Sequence, residues 1–191
     1  MAYETIRSFL AIEISEKLKQ EARSFVDTIR ERYSGFRFIP YQHWHLTLHF
    51  LGQVELKEIE ALQERLTAEA LKDVEPFTIS LEGFGTFPSG QKPRILWIGI
   101  GGDQSGLLTL KQRLDLVLRK LHFKIEKRSY HPHITIARSK GEGVPLPFKP
   151  ELQFKGQEVE EIRHVTLFKS ILSTQGAEHI TLGTFSFGNP Q

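Results

Sequence analysis

Two tetrapeptides in this chain of 191 residues carry side chains able to move protons, His45-Leu46-Thr47-Leu48 and His133-Ile134-Thr135-Ile136. Imidazole titrates near neutrality, so one ring can accept a proton while its twin, protonated, donates one. A facing pair suits a displacement that needs a general base on the nucleophile and a general acid on the leaving group, phosphodiester transfer being the leading example. No metal is needed where hydrogen-bond donors neutralise the charge that develops on the non-bridging oxygens. Thr47 and Thr135 can place hydroxyls there. Arg138, five residues after His133, can add a charge-assisted, bidentate contact to phosphate.

For those groups to act together, both tetrapeptides must be strands. Alternate side chains of a strand share a face, so His45 and Thr47 point one way and Leu46 and Leu48 the other; the second tetrapeptide behaves alike. The two lie 88 residues apart. The same shift lays Phe9-Leu10-Ala11-Ile12 over Trp97-Ile98-Gly99-Ile100, and each of these is followed by a helical pattern. The chain therefore reads as a duplicated strand, helix and motif strand. Two copies about a pseudo-twofold axis would bring the motif strands to one cleft.

The remaining elements follow from period and punctuation. Ser8 to Ile14 is a short buried strand, and Ser15 caps a helix reaching about Tyr33. Phe36 to Ile39 is a short strand stopped by Pro40, and the first motif strand runs from His45 to Leu51 with Gly52 closing it. A helix spans Glu55 to Leu71, then a strand Phe77 to Leu81, a loop Gly83 to Pro93 and a strand Ile95 to Ile100. A third helix reaches about Leu121 before the second motif strand, His133 to Arg138. A surface loop from Gly141 to Pro150 precedes strands near Gln153 to Glu158, His164 to Ser170 and His179 to Phe187.

Composition narrows the class of protein. At 39% hydrophobic and 25% charged residues the chain is globular, of a size for one domain or two small lobes packed as a unit. It has no cysteine, which excludes disulfides, thiol nucleophiles and Cys-based zinc sites. The start is not a signal peptide, and no apolar run approaches the ~20 residues of a membrane span; the expectation is a cytoplasmic protein without membrane contact. A formal charge of +2 does not suggest a polyanion-coating role. The basic residues are nonetheless clustered, with Arg119, Lys120, Lys124, Lys127, Arg128, Arg138 and Lys140 against the single acid Glu126.

His43, His45 and His49, with His131 and His133, form a rival constellation, since imidazoles ligate zinc and copper. On a regular strand His43, His45 and His49 share a face. Neither cluster contains Asp or Glu, and the expectation is no metal; His43 and His131 then help to position the loops entering the motif strands. Phe9, Trp44, Phe84, Phe87, Phe123 and Tyr130 are aromatic candidates for stacking an unpaired base, most of them expected in the core.

The doubled motif, with the runs His45-Leu46-Thr47-Leu48-His49-Phe50-Leu51-Gly52 and His131-Pro132-His133-Ile134-Thr135-Ile136-Ala137-Arg138, resembles the two-histidine (2H) phosphoesterase superfamily. The branch it is most similar to is the RNA 2′,3′-cyclic phosphodiesterase, or 2′-5′ RNA ligase-like, family. Arg7-Ser8-Phe9-Leu10-Ala11-Ile12 and Arg94-Ile95-Leu96-Trp97-Ile98-Gly99 fit it too. The resemblance implies an α+β fold of two pseudo-symmetric lobes spanning 1–191, with antiparallel sheets around a central cleft. It implies metal- and cofactor-independent hydrolysis of terminal 2′,3′-cyclic phosphates to 2′-phosphomonoesters by a monomer acting on RNA or nucleotides. His45 and His133 occupy the catalytic positions and Thr47, Thr135 and Arg138 the phosphate-binding ones. Of the two histidines, His133 is read as the base and His45 as the acid. The alternatives are 2′-5′ ligase activity in the same cleft and a non-catalytic module that binds RNA ends.

Overall fold

The computed structural model describes residues 4–90, 92–139, 141–145, 153–173 and 176–188. Residues 146–150 of the expected loop, and Lys140 of the basic cluster, lie outside them. The elements are β1 (Thr5–Glu13), α1 (Glu16–Ile29), β2 (Phe36–Phe38), a 3-10 turn (Tyr41–His43) and β3 (His45–Glu55). Then come α2 (Leu56–Arg65), widening into a π turn (Leu66–Ala70), β4 (Phe77–Phe87), β5 (Ile95–Gly102), α3 (Gln104–Lys120), β6 (His133–Ser139), β7 (Lys155–Ile162), β8 (His164–Ser173) and β9 (Gly176–Ser186).

Capping and burial explain the two longer helices. The Ser15 hydroxyl accepts from the Leu18 amide at 3.4 Å, and Leu18, Ala22, Val26 and Ile29 bury one stripe of α1. At the head of α3 the Asp103 carboxylate accepts from the amides of Ser105 and Gly106, both at 3.0 Å. Sequence periodicity carries α1 to Tyr33, but the helix stops at Ile29 and Tyr33 enters the core from a turn.

The nine strands form an antiparallel sheet in the order β7-β4-β5-β6-β3-β1-β8-β9, with β2 paired to β6 beside this path. Two half-sheets meet where β3 pairs with β6. Helix α1, which follows β1 in one half, packs beneath β4 and β7 of the other. The fold is thus α+β and antiparallel, as expected. The loop foreseen from Gly83 to Pro93 is shorter than that, because β4 runs on to Phe87 against β5. Gly85 makes this possible, since a Cβ there would collide with the Trp97 ring. Likewise Gly52 does not close β3 but sits within it at a φ of 80°, a conformation glycine tolerates.

The motif strands depart from simple alternation at the same place. Leu10 pairs with His49 and Ala11 with Thr47, which leaves Leu48 as the extra residue of a β-bulge; Leu96 pairs with Ala137 and Trp97 with Thr135, which leaves Ile136 as another. The fourth residue of each tetrapeptide is therefore surplus to pairing. Leu46, Leu48, Ile134 and Ile136 are all buried in one core, each side chain contributing roughly 1.5–3 kcal/mol. After the bulge the faces exchange. His49 and Ala137 turn into the core, while Phe50 and Arg138 turn out.

Two expectations are corrected by this pairing. His49 does not share a face with His45, because the bulge at Leu48 rotates it inward. The internal repeat is also not uniform. Thr47 and Thr135 are 88 apart, but their partners Ala11 and Trp97 are 86 apart, so β5 is set two residues out of the register that a constant shift implies.

Candidate active site

One residue pair joins the motif strands, Leu46 opposite Ile134. Continuing that antiparallel register by one residue each way sets His45 across from Thr135 and Thr47 across from His133. The two histidines then lie on a diagonal, a relation that spaces neighbouring strand positions by ~7–8 Å. His45, Thr47, His133 and Thr135 are half-buried, while their aliphatic neighbours are fully buried on the other face.

Each imidazole is oriented in the same way. His45 Nδ1 lies 2.8 Å from the His43 carbonyl and His133 Nδ1 lies 2.6 Å from the His131 carbonyl. A carbonyl can only accept, so both Nδ1 atoms carry hydrogen and both Nε2 atoms offer a lone pair. Burial lowers the His45 pKa to about 4, helped by His179, Arg138 and His43 and opposed by the carbonyl bond. The His133 pKa is also lowered, by burial first and then by His131 and Arg138. Arg138 thus acts on both rings at once. Both histidines are therefore neutral at neutral pH.

Arg138 reaches this face only because of the bulge at Ile136; in an unbroken strand a residue five positions after His133 would point the other way. Among the described residues no carboxylate pairs with it. In the first half the same position, five residues after His45, is held by Phe50, which is 65% exposed and 6.2 Å from the Phe9 ring.

Separate aromatic walls flank the two rings. The Phe9 ring is 5.0 Å from His45 and 5.1 Å from Phe168, while Phe87 and Trp97 lie 4.9 and 6.3 Å from His133. Of the aromatics singled out in the sequence, Phe9 and Phe87 line the site. Trp44 is buried, its indole N–H donating to the Ile39 carbonyl at 3.1 Å, and Phe84 packs in the core with Phe25 and Tyr33. Phe123 belongs to a groove of about 620 Å³ with Arg119, Lys124, Ile125, Glu126 and Lys127. The basic cluster is therefore divided: Lys120 pairs with Glu69 at 2.6 Å, Arg128 pairs with Glu126 at 2.8 Å, and among the cluster's described residues Arg138 alone is seated among the motif residues.

Sequence reasoning passed over His179, on β9. Its ring stands edge-on to His45, centroids 5.2 Å apart at 89°, and 4.9 Å from Phe9. No motif surrounds it, and only the β8–β9 hairpin folding back on β1 brings it here. His49, by contrast, leaves the site for the core, where its Nε2 meets Asp115 and, at 2.7 Å, the Lys111 ammonium. Among the described residues no group of three or more His, Asp or Glu side chains is gathered closely enough to hold a metal ion. No helix among them is long and apolar enough to cross a membrane.

Comparison with known proteins gives a consistent picture. A family model described as the 2′-5′ RNA ligase superfamily matches residues 18–169. A protein of Methanocaldococcus jannaschii named RNA 2′,3′-cyclic phosphodiesterase is 33% identical over 175 residues, covering 90% of this chain and 95% of its own. One of Aeropyrum pernix with the same name is 32% identical over 160 residues, covering 82% and 89%. Among solved structures, TT0787 of Thermus thermophilus superposes with a TM-score of 0.79 at 27% identity, over 97% of this chain and 100% of that one. Escherichia coli LigT in its apo form shares the fold, with a TM-score of 0.76 at 22% identity over 97% and 99%.

Proposed function

Because this chain belongs to the 2′-5′ RNA ligase superfamily, and its relatives at about 30% identity are named RNA 2′,3′-cyclic phosphodiesterases, we propose that it opens terminal 2′,3′-cyclic phosphates of RNA or nucleotides to 2′-phosphomonoesters. The enzyme is a phosphodiesterase. The observation that supports the finer reading is the Leu46–Ile134 pairing, which sets the two motif strands side by side.

In the proposed reaction a water oxygen attacks phosphorus and gives its proton to the Nε2 of one imidazole. The bond from phosphorus to the 3′ oxygen breaks, and the other imidazole, protonated, supplies a proton to that oxygen. The product carries a 2′-phosphate and a free 3′ hydroxyl. The Thr47 and Thr135 hydroxyls and the Arg138 guanidinium offset charge on the non-bridging oxygens. Neither a metal nor a cofactor takes part in these steps. With His133 as base and His45 as acid, the bound phosphate anion must lift His45 well above the value of about 4 set by burial, since an acid must hold its proton.

The test is a short RNA with a 2′,3′-cyclic phosphate end, incubated in excess EDTA, with the product read by phosphorus NMR. A 2′-phosphate formed without metal, and lost in both His45→Ala and His133→Ala, is the expected result. Tight binding with no turnover would instead mean a module for RNA ends, and joined strands would mean a ligase. Turnover abolished by EDTA would overturn the metal-free mechanism.

A further inference from the structure

The buried stripe of α3 runs through Leu107, Leu110, Leu114 and Leu118 and is interrupted by Lys111. The Lys111 ammonium lies 2.7 Å from His49 Nε2 and 2.6 Å from Asp115 Oδ1, and the imidazole also touches that carboxylate. An ammonium only donates, so the neutral imidazole and the carboxylate both accept from it. The same ammonium faces the Tyr130 ring, 5.4 Å from its centroid, and the Tyr130 hydroxyl donates to the Thr47 carbonyl. Neither Lys111 nor Asp115 has a part in the proposed reaction.

For packing a helix on a sheet, such a cluster gains little. Taking both charges out of water offsets most of their attraction, and apolar side chains of similar volume would hold α3 on β3 as well or better. What the ionic cluster adds is a fixed position. Thr47 and His49 stand on either side of Leu48, the extra residue of the bulge, and one network holds both, Thr47 by its carbonyl and His49 by its ring. A bulge that slipped by one residue along β3 would turn a flanking side chain to the other face.

In the second half the main chain supplies the equivalent hold. The Ile136 carbonyl accepts from the Ile39 amide at 2.9 Å, and Ala137 pairs with Leu96 on one side and Phe38 on the other. Among the described strands none plays the part of β2 beside β3, which meets β6 at the one pair Leu46 and Ile134. Side chains take over there.

Resting on the function proposed above, we propose that Lys111 is a positioning residue for the reaction: its ammonium pins the bulge at Leu48 and so keeps His45 and Thr47 turned towards the phosphate. Lys111 acts through His49 and Tyr130 and touches neither substrate nor the reacting atoms.

The experiment uses the double variant Lys111→Met/Asp115→Leu, which removes both charges together and leaves the core apolar. On a 2′,3′-cyclic mononucleotide kcat is expected to fall about tenfold, part of the roughly 100-fold that a displacement of about 1 Å can cost, with KM within a few-fold. The urea midpoint should stay at or above that of the wild type, while amide hydrogen exchange at Leu48 and His49 speeds up. Unchanged kcat, a rise in KM alone, or unchanged exchange would each overturn the proposal. A double variant that fails to fold would make the cluster a stabilising element and overturn it too. If the wild-type protein opens no cyclic phosphate, the reading of function fails, and the pinning of the bulge is judged by exchange alone: unchanged rates at Leu48 and His49 overturn it.

Discussion

The Tyr130 hydroxyl donates to the main-chain carbonyl of Thr47 over 3.0 Å, tying the loop that enters the second motif strand to the backbone of the first. Burial pushes the Tyr130 pKa up, so the phenol stays a donor at any working pH. Tyr130→Phe keeps the ring beneath the Lys111 ammonium, which is 5.4 Å from its centroid, and removes the bond alone. The expected cost is about 1 kcal/mol in urea denaturation, with a few-fold fall in kcat as the Thr47 backbone loosens.

Thr47→Val and Thr135→Val preserve shape and β-propensity while deleting a hydroxyl. If these groups meet the non-bridging oxygens in the transition state, each substitution lowers kcat about 100-fold and leaves KM within a few-fold. Steady-state kinetics on the cyclic substrate decide this. A change confined to KM would mean the hydroxyls serve ground-state binding alone.

His179 sets a pH dependence. As pH falls, positive charge on His179 opposes a second charge on His45. Removing it in His179→Phe, which keeps an aromatic ring against Phe9, should raise the His45 titration midpoint by about half a unit, the effect of a unit charge some 5 Å away in water-like screening. His179→Arg should lower it. Proton NMR of the His45 ring reads this independently of turnover, and an unmoved midpoint in both variants would refute the coupling.

Acid should weaken the fold through His49. Burial, with Lys111 beside it and Asp115 opposing, lowers its pKa to about 4 in the folded chain. The unfolded chain takes up this proton near 6.5 and the folded chain does not, so stability is full above that pH and falls as pH drops towards 4. A difference of one bound proton between the unfolded and folded chains limits the slope to about 1.4 kcal/mol per pH unit. Urea midpoints measured between pH 7 and 4.5 should fall in the wild type and fall less steeply in His49→Gln.

The core of the site was legible because strand alternation is enough to pair His45 with Thr47 and His133 with Thr135, and because the pattern occurs twice. Alternation carries no sign of a bulge. It therefore misplaced His49, and it gave no structural reason for Arg138 to join His133 across an odd interval. Both facts have one cause, an extra residue at Leu48 and at Ile136. His179 was hidden for a different reason: its relation to His45 is set by the pairing of β8 with β1, a contact between distant parts of the chain that no local pattern encodes.

The carbonyls of His43 and His131 carry a wider implication. Where the proton rests on each imidazole is dictated by the path of the main chain two positions upstream, not by any side chain. Substitution at either upstream position can change the surroundings without swapping which nitrogen is available for chemistry. Descendants of such a chain are free to redecorate the approaches to both rings while the tautomers stay locked.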